Sequence, residues 1–185
     1  MNILRLTPNT FSEPFKFSFF HDVIPSDIFE RCRQEAQRYP YFRVEKTRTS
    51  NPNRIWASQN PGWLSAIGME FDSVEVKREI AYALETPRSF VKMGTRVELC
   101  MDSVSSWLEP HQDDPAKAMT LQLYLDGNGI STSLGDISTD VKPNMAWAFD
   151  NQNTPVHSLP PLKYNRVSII VNYVDDSWRD RSVLV

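Results

Sequence analysis

Four short runs, RVELCM (residues 96–101), MTLQLYL (119–125), MAWAF (145–149) and RVSIIVNYV (166–174), decide the reading of the fold. They alternate with the period of two that marks a strand with a buried face, and Gly, Asn, Asp and Pro clusters separate them at spacings typical of a sandwich or barrel. Upstream of residue 87 the pattern is different. Phe15, Phe17 and Phe19 alternate with Lys16 and Ser18 as one further strand. From Ser26 or Asp27 as N-cap, with Glu30 three residues after Asp27, the apolar set Ile28, Phe29, Cys32, Ala36 and Tyr39 follows helical spacing until Pro40. A second helix is expected from Asp72, with Glu75 in capping-box position and Val76, Ile80, Ala83 and Leu84 on one stripe, ending before Pro87. Between the two, residues 46–61 are polar and rich in Asn, Pro and Arg, and read as an irregular segment or long hairpin able to serve as a lid.

Helices in the first half and strands in the second predict an α+β arrangement: a jelly-roll core over about 91–176, buttressed by a helix-rich part over about 1–90, in a single domain spanning 1–185. A chain of 185 residues buries enough surface to fold without disulfides or a structural metal. Cys32 and Cys100 lie far apart with no CxxC, which speaks against a zinc ribbon and for a reducing, cytoplasmic setting. With 20 Lys+Arg against 23 Asp+Glu the formal net charge is −3, so the clustered cations that a nucleic acid requires are missing. The longest apolar stretches, such as 167–171, fall far short of a bilayer span, and the N-terminus has no secretory h-region. No membrane partner is expected.

Chemistry concentrates in Glu109-Pro110-His111-Gln112-Asp113-Asp114-Pro115. In extended backbone His111 and Asp113 leave the same face, so one metal can accept both. His157 follows after two or three strand-like runs, where an antiparallel fold can return it beside His111. Two imidazoles and one carboxylate are the protein ligands of the facial triad, which leaves three positions open on non-haem Fe(II). Nine positions beyond His157 stands Arg166, and Ser168 shares its strand face; guanidinium and hydroxyl together suit one carboxylate. His21 has no partner at ligand spacing and reads as structural or exposed, and Asp114 as a turn or outer-layer residue.

On these residues the sequence resembles the Fe(II)/2-oxoglutarate-dependent oxygenases, and within them the prolyl-4-hydroxylase-like branch. The resemblance covers most of the chain. The run 119–126 resembles the strand that follows HxD in that branch, residues 141–149 the turn and strand before the distal histidine, and Arg48-Thr49-Ser50 a short motif before a mobile substrate loop. It implies a double-stranded β-helix core, iron held by His111, Asp113 and His157, and 2-oxoglutarate held by Arg166 and Ser168 with Tyr124 and Leu134 alongside. Thr132-Ser133 stands before Leu134 where the family often has Gly-Gly, Asp102 falls near where many prolyl hydroxylases carry a Tyr that contacts the co-substrate, and Arg166 stands where they often have Lys. The implied reaction is hydroxylation by O2 of a prolyl residue, a free amino acid or a related small molecule, with release of succinate and CO2. Iron at +2, Asp113 at −1, 2-oxoglutarate at −2 and Arg166 at +1 would sum to zero, which suits a buried site.

For the substrate, Arg96, Trp107, Trp147 and Arg54 are the candidates. Arg96 and Glu98 share a face, and solvent is the expected side for that pair. Two other readings stay open: a cupin-like hydrolase or isomerase in which the same triad activates water on zinc, and a catalytically silent jelly roll used as a binding module.

Overall fold

The computed structural model of the chain describes residues 4–11, 16–40, 42–44, 54–57, 61–87, 89–127, 130–134, 137–151 and 156–175. Of the expectations above, Phe15, the Arg48-Thr49-Ser50 motif and most of the 46–61 lid lie outside these residues.

The described residues form twelve strands and three helices. The strands are β1 Pro8–Phe11, β2 Phe17–Phe20, β3 Phe42–Val44, β4 Arg54–Ala57, β5 Gly94–Asp102, β6 Leu108–His111, β7 Lys117–Asp126, β8 Ile130–Leu134, β9 Ile137–Val141, β10 Ala146–Asp150, β11 His157–Leu159 and β12 Arg166–Val174. The helices are α1 Ser26–Arg38, α2 Gly62–Asp72 and α3 Val74–Ala83. Eight strands build one antiparallel sheet in the order β1-β2-β10-β7-β12-β5-β4-β3, and four build a second in the order β6-β11-β8-β9. The result is a mixed α+β fold with a jelly-roll-like pair of sheets, and no closed barrel forms among the described residues.

The pleat of the large sheet assigns its two faces. In β12, Val167, Ile169, Val171 and Tyr173 join the cluster that includes Leu64, Ile67 and Phe71 of α2 and Val76 and Ile80 of α3. The alternate residues Arg166, Ser168, Ile170 and Asn172 therefore look toward the small sheet. A second cluster fills that space, with Phe17, Phe19, Tyr124, Trp147 and Phe149 from the large sheet meeting Leu108, Val141 and Leu159 from the small one. Tyr173 crosses to the helices and donates from its hydroxyl to the Phe71 carbonyl at 2.8 Å. Burial pushes its phenol well above the usual range, with Asp72 adding to the effect.

The first helix forms where expected, but neither Ser26 nor Asp27 caps it: Ser26 is already helical, Pro25 holds the cap position and makes no side-chain cap bond. Glu30 instead pairs with Arg33 at 3.0 Å one turn on. The expected helix start at Asp72 is corrected too. Asp72 ends α2, and its carboxylate accepts from Lys77 Nζ at 2.7 Å and Thr95 Oγ1 at 2.6 Å; Ser73 caps α3 by accepting from the Val76 amide. The Asp72 side chain that was to cap the helix thus ties the end of α2 to α3 and to the start of β5. No helix among the described residues is long and apolar enough to cross a membrane.

Asn144, at φ 63°, joins the sheet to the entry of α1. Its Oδ1 accepts from the Ile24 amide at 2.9 Å and its Nδ2 donates to the Ile24 carbonyl at 2.6 Å. Asn144→Ala strands both buried backbone groups at about 1 kcal/mol each, so a loss of about 2 kcal/mol in chemical denaturation is expected.

Candidate metal centre

His111 ends β6 and His157 begins β11, and the two are direct cross-strand partners in the small sheet. Their ring centroids lie 4.2 Å apart. Asp113 follows two residues beyond His111, and one potential ligand atom from each of the three falls within 4.8 Å of the others. The His111 ring meets the Glu109 carbonyl at 2.9 Å through Nδ1, which makes Nδ1 the protonated nitrogen and leaves Nε2 to accept a metal. His157 rests against Phe149 at 5.1 Å and Trp147 at 6.4 Å between centroids.

Asp113 is held from the large sheet. Thr120 Oγ1 donates to Asp113 Oδ2 at 2.7 Å, and Lys117 Nζ donates to Oδ1 at 3.1 Å. Two amides stand around the same hydroxyl: Asn151 Nδ2 at 3.1 Å and the Asn172 amide at 2.9 Å. The Asn172 atom there is Oδ1, which shares the single hydroxyl proton with Asp113 Oδ2, while Asn151 Nδ2 donates to the hydroxyl oxygen. Burial alone would raise the Asp113 pKa; the charges of Lys117 and His157 and the bonds from Thr120 and Lys117 outweigh it and bring the value down to about 2. The carboxylate is ionised and oriented, as a hard metal ligand must be. Asp114 serves the turn, its Oδ1 accepting from the Ala116 amide at 2.9 Å.

On the inner face of the large sheet, register sorts the side chains into rows about 7 Å apart along the strands. Phe149, Thr120, Asn172 and Arg96 form the row nearest Asp113; Trp147, Gln122, Ile170 and Glu98 form the next. Tyr124, Ser168, Cys100 and Trp56 follow, and then Arg166, Asp102 and Arg54. A register shift in β7 opposite Val167 and Ser168 falls between the last two rows. The wall thus grades from aromatic beside His157, through a polar set, to guanidinium. In the polar set Gln122 Nε2 donates to Ser168 Oγ at 2.9 Å and the Tyr124 hydroxyl donates to Gln122 Oε1 at 3.3 Å. The Arg166 guanidinium lies 5.8 Å from the Tyr124 ring centroid. Burial pushes the Cys100 thiol far up, with Asp102 next to it adding to the shift, so it is no thiolate ligand.

The residues singled out in the sequence are distributed as follows. His111, Asp113 and His157 converge. Arg166, Ser168 and Tyr124 share one neighbourhood, and the backbone of Leu134 pairs opposite His157. Trp147 packs against His157, and Arg54 reaches Arg166 through Asp102. Arg96 pairs with Glu98 at 2.7 Å, and their side chains are only 15% and 14% exposed on the inner face, which corrects the expectation of a solvent-facing pair. Trp107 lies between β5 and β6 and is 40% exposed. His21 is exposed. Sequence reasoning missed Thr120, Gln122, Asn151 and Asn172. Their signal was available: Thr120 and Gln122 interrupt an apolar strand at every second position, which marks a polar row on one face.

No protein-family model matches the sequence, and no curated protein matches it. Solved structures do match in shape. A Pseudomonas putida prolyl-4-hydroxylase superposes with a TM-score of 0.64 at 17% identity, over 85% of this chain and 91% of that one. A prolyl hydroxylase from Trichoplax adhaerens, in complex with a peptide fragment of the hypoxia inducible factor oxygen degradation domain, gives 0.61 at 14% identity, over 90% and 87%. SnoN, a non-haem α-ketoglutarate-dependent epimerase of nogalamycin biosynthesis, gives 0.62 at 11% identity, over 86% and 78%. At these identities the likeness speaks for architecture alone: the fold resembles that of these two prolyl hydroxylases and of the non-haem α-ketoglutarate-dependent epimerase, and the chain carries a cluster of two histidines and one aspartate suited to a metal.

Proposed function

We propose that the protein is a single-domain Fe(II)- and 2-oxoglutarate-dependent oxygenase with a double-stranded β-helix core, which hydroxylates an amino-acid-like substrate: a prolyl residue, a free amino acid or a related small molecule. The observation that carries the reading is the convergence of His111, Asp113 and His157 within 4.8 Å, between the small sheet and a large-sheet wall that carries a buried arginine. The donor set fits the group. Two imidazoles and an ionised carboxylate suit Fe(II) and leave positions open on it. Arg166, Ser168, Tyr124 and Gln122 offer a cation and hydrogen-bonding groups to a dicarboxylate. A zinc hydrolase on the same triad would give these four residues no task.

Bound iron and 2-oxoglutarate supply the oxidation of a C–H bond by O2, coupled to release of succinate and CO2. The chain's own residues hold and orient. His111, Asp113 and His157 would hold the metal, with Glu109 fixing the His111 ring and Thr120 the Asp113 carboxylate. Arg166 and Ser168 would anchor the far carboxylate, with Tyr124 and Leu134 beside them. Phe149 and Trp147 keep water from the His157 side. Arg96 and Trp147 face the space left for the substrate, and the prolyl hydroxylases among the structural relatives favour an amino-acid-like molecule there. The cytoplasm, as a reducing compartment, is the proposed location.

Anaerobic titration with Fe(II) and 2-oxoglutarate tests the assignment. A visible charge-transfer band in the wild-type protein is expected and, once O2 is admitted, succinate release stimulated by a free amino acid or a proline-containing peptide. If no band forms, the oxygenase reading falls; if only an unrelated metabolite stimulates turnover, the substrate class does.

A further inference from the structure

The connection from β6 to β7 folds back on one of the three ligands. Asp114 builds the turn: its Oδ1 accepts from the Ala116 amide at 2.9 Å and its carbonyl from the Lys117 amide at 2.9 Å. The Asp175 amide, next after β12, donates to the Ala116 carbonyl at 3.1 Å and ties the turn to the large sheet. So closed, the turn brings Lys117 back to Asp113 four residues before it, and Nζ donates to Oδ1 at 3.1 Å. The contact is sheltered, with the Lys117 and Asp113 side chains 13% and 5% exposed.

Asp113 thus receives two donors of different kinds. Thr120 holds Oδ2 at 2.7 Å and is itself held by Asn151, so the carboxylate is oriented without Lys117. What Lys117 adds is charge, of the same sign as a metal ion and on the same carboxylate. An ammonium and a divalent ion that share one carboxylate repel at short range, and solvent screens the repulsion poorly where both are sheltered. We infer that Lys117 is a positioning residue of the metal centre that acts as a placeholder cation: it pairs with Asp113 in competition with the metal, and so sets the metal affinity below what His111, Asp113 and His157 would give without it. The inference rests on the metal-binding part of the proposed function and goes beyond it, because it makes the affinity a property of the turn as well as of the ligands.

The experiment uses Mn(II) as the probe, counted as free ion by electron paramagnetic resonance, and compares the metal-free wild-type chain with variants of Lys117 at one ionic strength. Lys117→Gln keeps a hydrogen-bond donor beside Asp113 and loses the charge; Lys117→Arg keeps the charge. The expected result is a Kd for Mn(II) about tenfold lower in Lys117→Gln than in the wild type, with Lys117→Arg close to the wild type. A residue that only props Asp113 predicts the opposite sign, because its loss loosens a ligand. If circular dichroism shows Lys117→Gln unfolded, Lys117→Met takes its place under the same criterion. A Kd that is unchanged or higher in the uncharged variant, or equally low in Lys117→Arg, overturns the inference and leaves the metal centre standing. A wild-type protein that does not bind Mn(II) overturns both.

Discussion

His157→Ala is expected to abolish the Fe(II)/2-oxoglutarate charge-transfer band and all succinate release, with Fe(II) affinity falling by at least about a thousandfold, roughly 4 kcal/mol. The size follows from the ligand count. Only His111, Asp113 and His157 bring ligand atoms together among the described residues, so removing one leaves a two-ligand site. That residual site also contains a competitor, because Lys117 Nζ stands 3.1 Å from Asp113 Oδ1 and its charge already fills part of the field a metal would use. The fold should survive. His157 opens a three-residue strand, and the truncation removes ring contacts with His111, Phe149 and Trp147 while the backbone pairing of the strand stays in place. Isothermal titration under argon, with circular dichroism as the folding control, checks the result; Fe(II) bound as tightly as by the wild type would remove His157 from the ligand set.

Much of this site could be read from the chain because strands impose a period of two. Arg166 and Ser168, two apart in β12, end on a common face for that reason alone, whereas Asp113 lies two residues past the end of β6 and joins His111 from the connection to β7. The long central strands β5, β7 and β12 showed through for the same reason. What stayed hidden depends on register, which one sequence does not encode locally. Arg54 and Asp102 meet because β4 pairs with β5 in one particular alignment, and nothing at residue 54 announces it. The small sheet was also faint. Its strands run three to five residues and two of them, ISTSL and ISTDV, are mostly Ser, Thr and Asp, with too little apolar contrast to show a face. Helix α2 escaped although Leu64, Ile67, Gly68 and Phe71 follow i, i+3, i+4, i+7, because Gly62 and Gly68 depress helix propensity over a window of eleven residues. The face assignment of Arg96 and Glu98 failed for another cause. Charge predicts solvent on average, and two opposite charges that pair with each other on an inner face are where that average does not hold.

Asp102→Asn is expected to cost about 3–5 kcal/mol at pH 7, because it leaves two buried guanidinium ions facing a neutral amide. Burial by itself raises the Asp102 pKa, but Arg166 and Arg54 more than offset that, and the carboxyl sits well below its ordinary value of 3.8. A carboxylate whose folded pKa is depressed gives stability that is complete above its unfolded pKa and is lost as the pH falls toward the folded one. The gap between wild type and Asp102→Asn should therefore be constant from pH 7 down to about 4, then narrow by about 1.4 kcal/mol per pH unit below that. Urea denaturation at pH 7, 5 and 3 measures it; a gap that is small at pH 7, or that widens in acid, would mean the row is not held by its charges. Arg54→Met placed on top of Asp102→Asn removes one of the two cations that Asp102 balanced, so the double variant should be more stable than Asp102→Asn alone. That reversal of sign, a second truncation that restores stability, is something packing loss cannot produce and charge balance in a buried row demands.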